Sequence, residues 1–294
     1  PDEEVIQYDL RQLLGTEHRH GPNDKNEMRI TTKQALMIVE DLNENFPNLQ
    51  YVDFSGGELL YQKQFFPTLA KLSEHPNARN MNISFHSNFN APNIDVIKLS
   101  DLLEPFNSSS IVISIDAGRK IYPYFRHGGN WETLRNNIYK FKEHNKHTFL
   151  SASITTSIYQ MLDIYDIFDS ILDLYPPTTK PNSEIQFDAS IVQTPKYINP
   201  SLIMYDFPEE TEKDIRKTYE LIEKKDMSGH ELYDRQSKNW LDYIVNYVKQ
   251  TKLSYSHFNR FLIYRKKSDE IWGQNFNEYF DNYQIEDDEL IRVK

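Results

Sequence analysis

The feature that most constrains this chain is an alternation. Short β-rich runs are separated by stretches long enough for a helix, from residue 5 to about residue 195. The runs are VIQYDLRQ (5–12), LQYVDFS (49–55), MNISFHS (81–87), SIVISIDA (110–117), TFLSASITT (148–156) and EIQFDASIV (184–192). Strands that alternate with helices build βαβ units and a parallel sheet. The intervening stretches carry stripes at helical spacing. Thr31 with Gln34 three residues on is a capping box, and Ala35, Val39, Leu42 and Phe46 then fall on one face. Trp131, Leu134, Ile138 and Phe141 form a second stripe, and Met161, Tyr165, Phe168, Leu172 and Tyr175 a third. Crossovers between parallel strands share one hand, so six successive units curl in one sense. The expected fold is α/β, a partial, TIM-like (β/α)6 barrel.

Beyond Pro195 the pattern changes to polar, aromatic-rich helices, expected over 209–225, 231–252 and about 256–283, with no strand signal except a short one near Leu262. Pro195, Pro200 and Pro208 mark the break. Residues 1–205 therefore read as the barrel and residues 206–294 as a helical C-terminal extension packed on it. An incomplete barrel bares a sheet edge that must be covered, and the extension is the material for it. Trp240, Tyr243, Tyr247 and Phe261 are expected to face the barrel. The tail DNYQIEDDELIRVK reads as a solvated charged end.

Composition removes several classes of function. Asp and Glu number 44 against 33 Lys and Arg, a formal charge of -11, which repels a phosphate backbone; nucleic acid is not an expected partner. No window approaches the roughly 18 apolar residues of a membrane span, so no membrane partner is expected and the chain reads as a soluble, cytoplasmic protein. There is no cysteine, which excludes disulfides, thiolate zinc sites, thiol nucleophiles and thiolate-held iron-sulfur clusters within this chain.

In a parallel α/β architecture ligands bind beyond the carboxyl ends of the strands. The second run ends in Phe54-Ser55-Gly56-Gly57-Glu58, where two glycines let backbone approach a ligand and the neighbouring acid can take an amine. The third ends in His86-Ser87-Asn88 and the fourth in Ser114-Ile115-Asp116-Ala117-Gly118, followed by Phe125-Arg126-His127-Gly128-Gly129. Each taken singly is also an ordinary turn or helix cap. Their order resembles the radical S-adenosylmethionine superfamily, with its Gly-Gly-Glu-Pro turn, Thr-Asn-Gly strand end and Ser-x-Asp-Gly strand end before an Arg-Gly turn. The resemblance spans about residues 5–194 and is nearest to members with a C-terminal "twitch" extension.

That resemblance implies S-adenosylmethionine as the cofactor. Gly56, Gly57 and Glu58 would meet its amino end, Ser114 and Asp116 would lie near its ribose, and Ser87, Asn88 and Arg126 would line the pocket. The sequence departs from the family at Leu59 for proline, at Phe89 for glycine, and at Ala117, which moves the glycine to Gly118. A larger departure concerns the loop LLGTEHRHGPND (13–24). In the family this loop carries C-x3-C-x2-C for a [4Fe-4S] cluster. Here the same spacing falls on Leu14, His18 and Gly21. A leucine and a glycine offer no side-chain donor, and one imidazole cannot hold a cubane that needs soft anionic sulfur. No 4Fe-4S cluster is expected in this chain.

Three readings follow. The first is a pseudoenzyme that keeps the radical S-adenosylmethionine-like barrel, has lost its iron-sulfur cluster, and binds S-adenosylmethionine, a related nucleotide or a peptide. The second is a genuine radical enzyme whose cysteines have been replaced. The third is a metal-dependent barrel enzyme using Glu17, His18 and His20 with Asp116 as a remote fourth ligand, although such spacing on a loop fixes no geometry. No nucleophile elbow, P-loop or His-Glu-x-x-His occurs, so the sequence names no catalytic residue. The C-terminal aromatics read as core packing, with a protein-docking patch as the functional alternative.

Overall fold

The computed structural model describes residues 30–145, 147–174, 186–226, 231–287 and 289–293. Five strands, β1 (Tyr51–Phe54), β2 (Asn82–Ser87), β3 (Ser108–Ser114), β4 (Thr148–Thr156) and β5 (Gln186–Ile191), form one sheet in sequence order, every pair parallel. The sheet curls into a half-barrel with helices around it. These are the second to sixth of the runs read from the sequence, and the run 5–12 lies outside the described residues.

The helices of the barrel half follow the capping and stripe logic. In α1 (Thr32–Asn45) Thr31 and Gln34 close the capping box, and Ala35 and Val39 are buried. The second helix, α2 (Phe65–Ser73), and α3 (Val96–Leu103) bury Leu69, Leu72, Leu99 and Leu103. Asn130 caps α4 (Trp131–His144), whose Trp131, Leu134, Ile138 and Phe141 are all buried. Neighbouring helices touch in order along the chain: α1 on α2, α2 on α3 and α3 on α4. In the fifth connection the stripe differs from the expectation. Along α5 (Ile164–Asp173) Ile164, Ile167, Phe168 and Ile171 are buried, whereas Tyr165 is exposed; Leu172 and Tyr175 are not among the side chains described. Met161 and Phe168 are buried as expected, and beside Tyr165 it is Ile164 that takes the core side.

The sheet is not apolar on both faces. Along β2 and β3 burial alternates: Ile83, Phe85, Ile111 and Ile113 are fully covered by the helices. Ser84, Ser110, Val112 and Ser114 on the opposite face are half-buried. A closed barrel fills its interior with branched aliphatics. Here the opposite face carries small polar side chains and stays accessible.

The C-terminal third packs on this half-barrel. Helices α6 (Pro208–Asp226) and α7 (Glu231–Gln250) pair with each other; α6 lies on α5 and α7 lies along β5. Trp240 stacks on Phe168 with centroids 4.6 Å apart, and Phe261 of α8 (Tyr255–Trp272) meets Tyr159 at 5.2 Å. Tyr247 accepts a hydrogen bond from Asn199 Nδ2 at 2.7 Å. Tyr243 is 48% exposed and does not face the barrel as expected, since the buried seam of α7 runs through Trp240, Leu241, Ile244 and Val248. Leu262 lies inside α8 and not in a strand.

The charged tail is a two-stranded antiparallel hairpin, β6 (Tyr283–Glu286) with β7 (Glu289–Arg292), where a solvated end was expected. Alternation of Tyr283 and Ile285 with polar residues was the overlooked signal. Tyr283 and Leu290 are buried, and Arg292 Nη1 donates to Asp214 at 3.0 Å and to the Tyr283 hydroxyl at 2.8 Å. Among the described residues no helix is long and apolar enough to cross a membrane.

Candidate functional site

The turn after β1 places Gly56 at φ +148°, a backbone region open to glycine and strained for other residues. Gly57 has no such constraint, and a Cβ there would find its nearest neighbour, Gln62, 4.0 Å away. Glu58 then caps the short turn Leu59–Tyr61 through the Leu60 N–H at 3.2 Å. Its carboxylate also reaches the next strand end. It accepts from Ser87 Oγ at 2.6 Å and from the Asn88 N–H at 2.6 Å. The Gly-Gly-Glu turn is thereby tied to the Ser87-Asn88 end of β2 through one side chain.

Phe89 stands where the family resemblance would place glycine, and it has taken a glycine-like conformation, φ +53°. Such a backbone costs a bulky residue about 1–2 kcal/mol. Burial offsets it: the ring is fully covered and meets Phe141 edge-on at 5.7 Å, and Asn137 Nδ2 donates to the Phe89 carbonyl at 3.0 Å.

After β3 the chain turns at Asp116, also left-handed at φ +57°. Its carboxylate accepts the Thr155 N–H at 3.0 Å from the end of β4 and is paired with the Arg126 guanidinium; Gln160 donates to its carbonyl. Gly118 follows in close contact with α5, so that a Cβ there would collide with the Asp166 carboxylate and come within 2.9 Å of the Ile167 nitrogen. The Arg126-His127-Gly128-Gly129 turn closes on itself, with Gly129 N–H donating to the Arg126 carbonyl at 2.5 Å. Ser114 ends β3 beside Ser153 of β4.

These strand ends border a cleft of about 510 Å³. Of the residues singled out from sequence, Asn88 and Arg126 line it. Glu58 and Ser87 brace the first, and Asp116 braces the second. Phe125, His127, Gly128 and Gly129, of the same turn as Arg126, line it too, and the lining not singled out as a site from sequence includes Tyr122, Tyr124 and Tyr159 from the barrel and Tyr264, Ser268 and Trp272 from α8. Tyr122 is fully buried, and burial raises its hydroxyl above the ordinary phenol range against the opposing charge of Arg126. Tyr124 and Tyr159 are raised in the same way by burial, and Tyr124 further by Tyr159 and Asp269. All three remain neutral phenols at any physiological pH.

Among the described residues no group of three or more His, Cys, Asp or Glu side chains could hold a metal ion. Glu17, His18 and His20, and the positions Leu14 and Gly21, lie outside the described residues. The donor set does not fit an iron-sulfur cluster in any arrangement of the loop, because the chain contains no thiolate.

Comparison with known proteins gives structural neighbours alone. No protein-family model and no curated protein matches the chain. Native anSMEcpe with bound AdoMet is 16% identical, covering 71% of this chain and 56% of that one, with a TM-score of 0.47. Tagged anSMEcpe with bound AdoMet is 17% identical over 71% of this chain and 54% of that one, TM-score 0.46. Native anSMEcpe with bound AdoMet and a peptide is 16% identical over 68% and 54%, TM-score 0.43. The chain thus spans a little over half the length of these structures.

Proposed function

We propose that this protein is a cluster-free binding module with a radical S-adenosylmethionine-like half-barrel, taking S-adenosylmethionine, a related nucleotide or a peptide at the carboxyl ends of its strands. The observation that carries the reading is the cleft bordered by Asn88 and Arg126, each held by a carboxylate from the strand end beside it. Such convergence of a few fixed polar groups in a largely aromatic concavity is what a small-ligand site requires. Gly56, Gly57 and Ser114, although at strand ends, are not among the residues that line the cleft, whereas Asn88 and Arg126 give the ligand its main polar contacts. Glu58, Ser87 and Asp116 act as positioning residues through them. Homolytic cleavage of S-adenosylmethionine is not proposed, since the chain has no cysteine to hold the cluster that would supply the electron.

Anaerobic reconstitution with iron and sulfide tests the cluster-free half. The expected product is colourless and iron-free. A stable brown protein with about four irons per chain, the content of a single cubane, would overturn it. The triple variant Leu14→Cys, His18→Cys, Gly21→Cys is expected to take up a cluster if the loop keeps the geometry that the resemblance implies.

A further inference from the structure

The wall of the cleft contributed by α8 bears on what the cleft selects. Tyr264, Ser268 and Trp272 recur every four residues and so share one helical face. The flank of α8 next to this face is core: Phe258, Phe261, Arg265 and Asp269 are buried. Tyr264 and Trp272 are 41% and 52% exposed, although the helix that carries them is firmly anchored. Tyr124 donates to Asp269 at 2.7 Å, Arg265 pairs with the same carboxylate at 2.9 Å, and the Phe276 N–H joins it at 3.1 Å. Just beyond the helix, Gln274 Nε2 donates to the Pro123 carbonyl at 3.1 Å. An aromatic face on an anchored helix is preorganised, and its occupant need not order it.

The chemistry of the lining narrows the occupant. It contains no Asp, Glu or Lys; besides His127, whose ring lies 5.0 Å from that of Trp272, its one permanent charge is Arg126, already answered by Asp116. A ligand carrying a new charge into the cleft would be desolvated without a partner. A phosphate-bearing ligand would in addition meet a chain of net charge -11. A ring, by contrast, gains edge and face contacts with Tyr264, Trp272 and Tyr159. Tyrosine and tryptophan with an arginine, interspersed with Asn and Ser, is the composition that recognises polypeptide.

We propose that the cleft selects a peptide segment bearing an uncharged aromatic side chain, and that the Tyr264–Ser268–Trp272 face of the C-terminal helix is the specificity-determining wall. This rests on the cleft being the ligand site proposed above, and it commits that reading to its peptide branch.

Trp272 reports on the site directly, because Trp131 and Trp240, the other tryptophans, are buried. Titrating the blocked peptide acetyl-Gly-Gly-Phe-Gly-Gly-amide should shift its emission, with half-saturation at least tenfold lower than for the alanine analogue and lower again than for the aspartate analogue. By calorimetry, Trp272→Ala and Tyr264→Ala should each weaken the phenylalanine peptide tenfold or more. Equal half-saturation for the phenylalanine and alanine peptides would overturn the proposal. So would unchanged binding in both variants, or tighter binding of adenosine than of the peptide. S-adenosylhomocysteine titrated in parallel separates the two claims. Aromatic-selective peptide binding without nucleotide binding removes the nucleotide branch and leaves this inference standing; nucleotide binding without aromatic preference does the reverse.

Discussion

Asp116 pairs with Arg126 while its other carboxylate oxygen accepts the Thr155 N–H at 3.0 Å, so a single side chain joins the ends of β3 and β4 to the turn that lines the cleft. Both partners are partly buried, with side-chain exposures of 25% and 32%. Asp116→Ala removes the pair and also puts alanine at φ +57°. The expected loss is roughly 2–3 kcal/mol, combining about 1–2 for left-handed backbone with about 1 for a half-exposed pair. Asp116→Asn keeps a residue that tolerates the backbone and should lose about 1 kcal/mol. Urea unfolding of the two variants checks this; equal midpoints would mean the strained backbone contributes nothing.

Glu58 is the tie between β1 and β2. Glu58→Ala leaves the Asn88 N–H and Ser87 Oγ without their acceptor. Loss of acceptors for partly buried donors costs about 1–3 kcal/mol. Glu58→Gln turns one oxygen into a donor facing donors, so it should rescue only part of the loss. Hydrogen exchange at the Asn88 amide is the direct measure. An unchanged rate in Glu58→Ala would mean that the tie does not hold the strand end.

A pH dependence comes from Asp163, at the junction before α5. Burial pushes its carboxyl up to about 7, aided by the neighbouring Asp166 and opposed by Lys120. Its folded value lies above the unfolded 3.8, so between these two values the folded state binds the extra proton. Stability is therefore undiminished below about 4, declines as pH rises toward 7, and is flat above. Asp163→Asn should be neutral to mildly destabilising at pH 4 and stabilising at pH 8, by up to a few kcal/mol. Chemical denaturation of both proteins at the two pH values decides it; a difference that does not change with pH would remove Asp163 as the source.

The fold was largely legible because parallel βα units announce themselves by period. Thr31 with Gln34, and Trp131 with Leu134, Ile138 and Phe141, fixed helices that the structure bears out. Illegible parts have specific causes. Tyr165 was placed in the stripe since aromatics weigh heavily in a periodicity, but the isoleucines beside it fill the core. The hairpin Tyr283–Arg292 was hidden by acidic residues on its exposed positions. At the cleft, the polar positions came from strand ends and were readable, whereas Tyr264 and Trp272 sit about 150 residues beyond Asp116 and only tertiary packing brings them there. Their spacing of four along a helix was the available signal.

The C-terminal third should not be separable. Trp240 on Phe168, Phe261 on Tyr159, and Tyr124 on Asp269 cross the proposed boundary near residue 205. Residues 1–205 expressed alone would bare β5 and this aromatic surface, and the expected result is aggregation. A monodisperse fragment that melts cooperatively would show the extension to be an independent unit.

The central claim, ligand binding without a cluster, is tested most directly by calorimetric titration of S-adenosylmethionine and of the phenylalanine peptide into chelator-treated protein. The expected result is a saturable one-to-one isotherm for at least one of them in the absence of iron, weakened at least tenfold in Arg126→Ala. No heat with either ligand up to millimolar concentration, or binding that arises only after iron and sulfide are supplied, would contradict it.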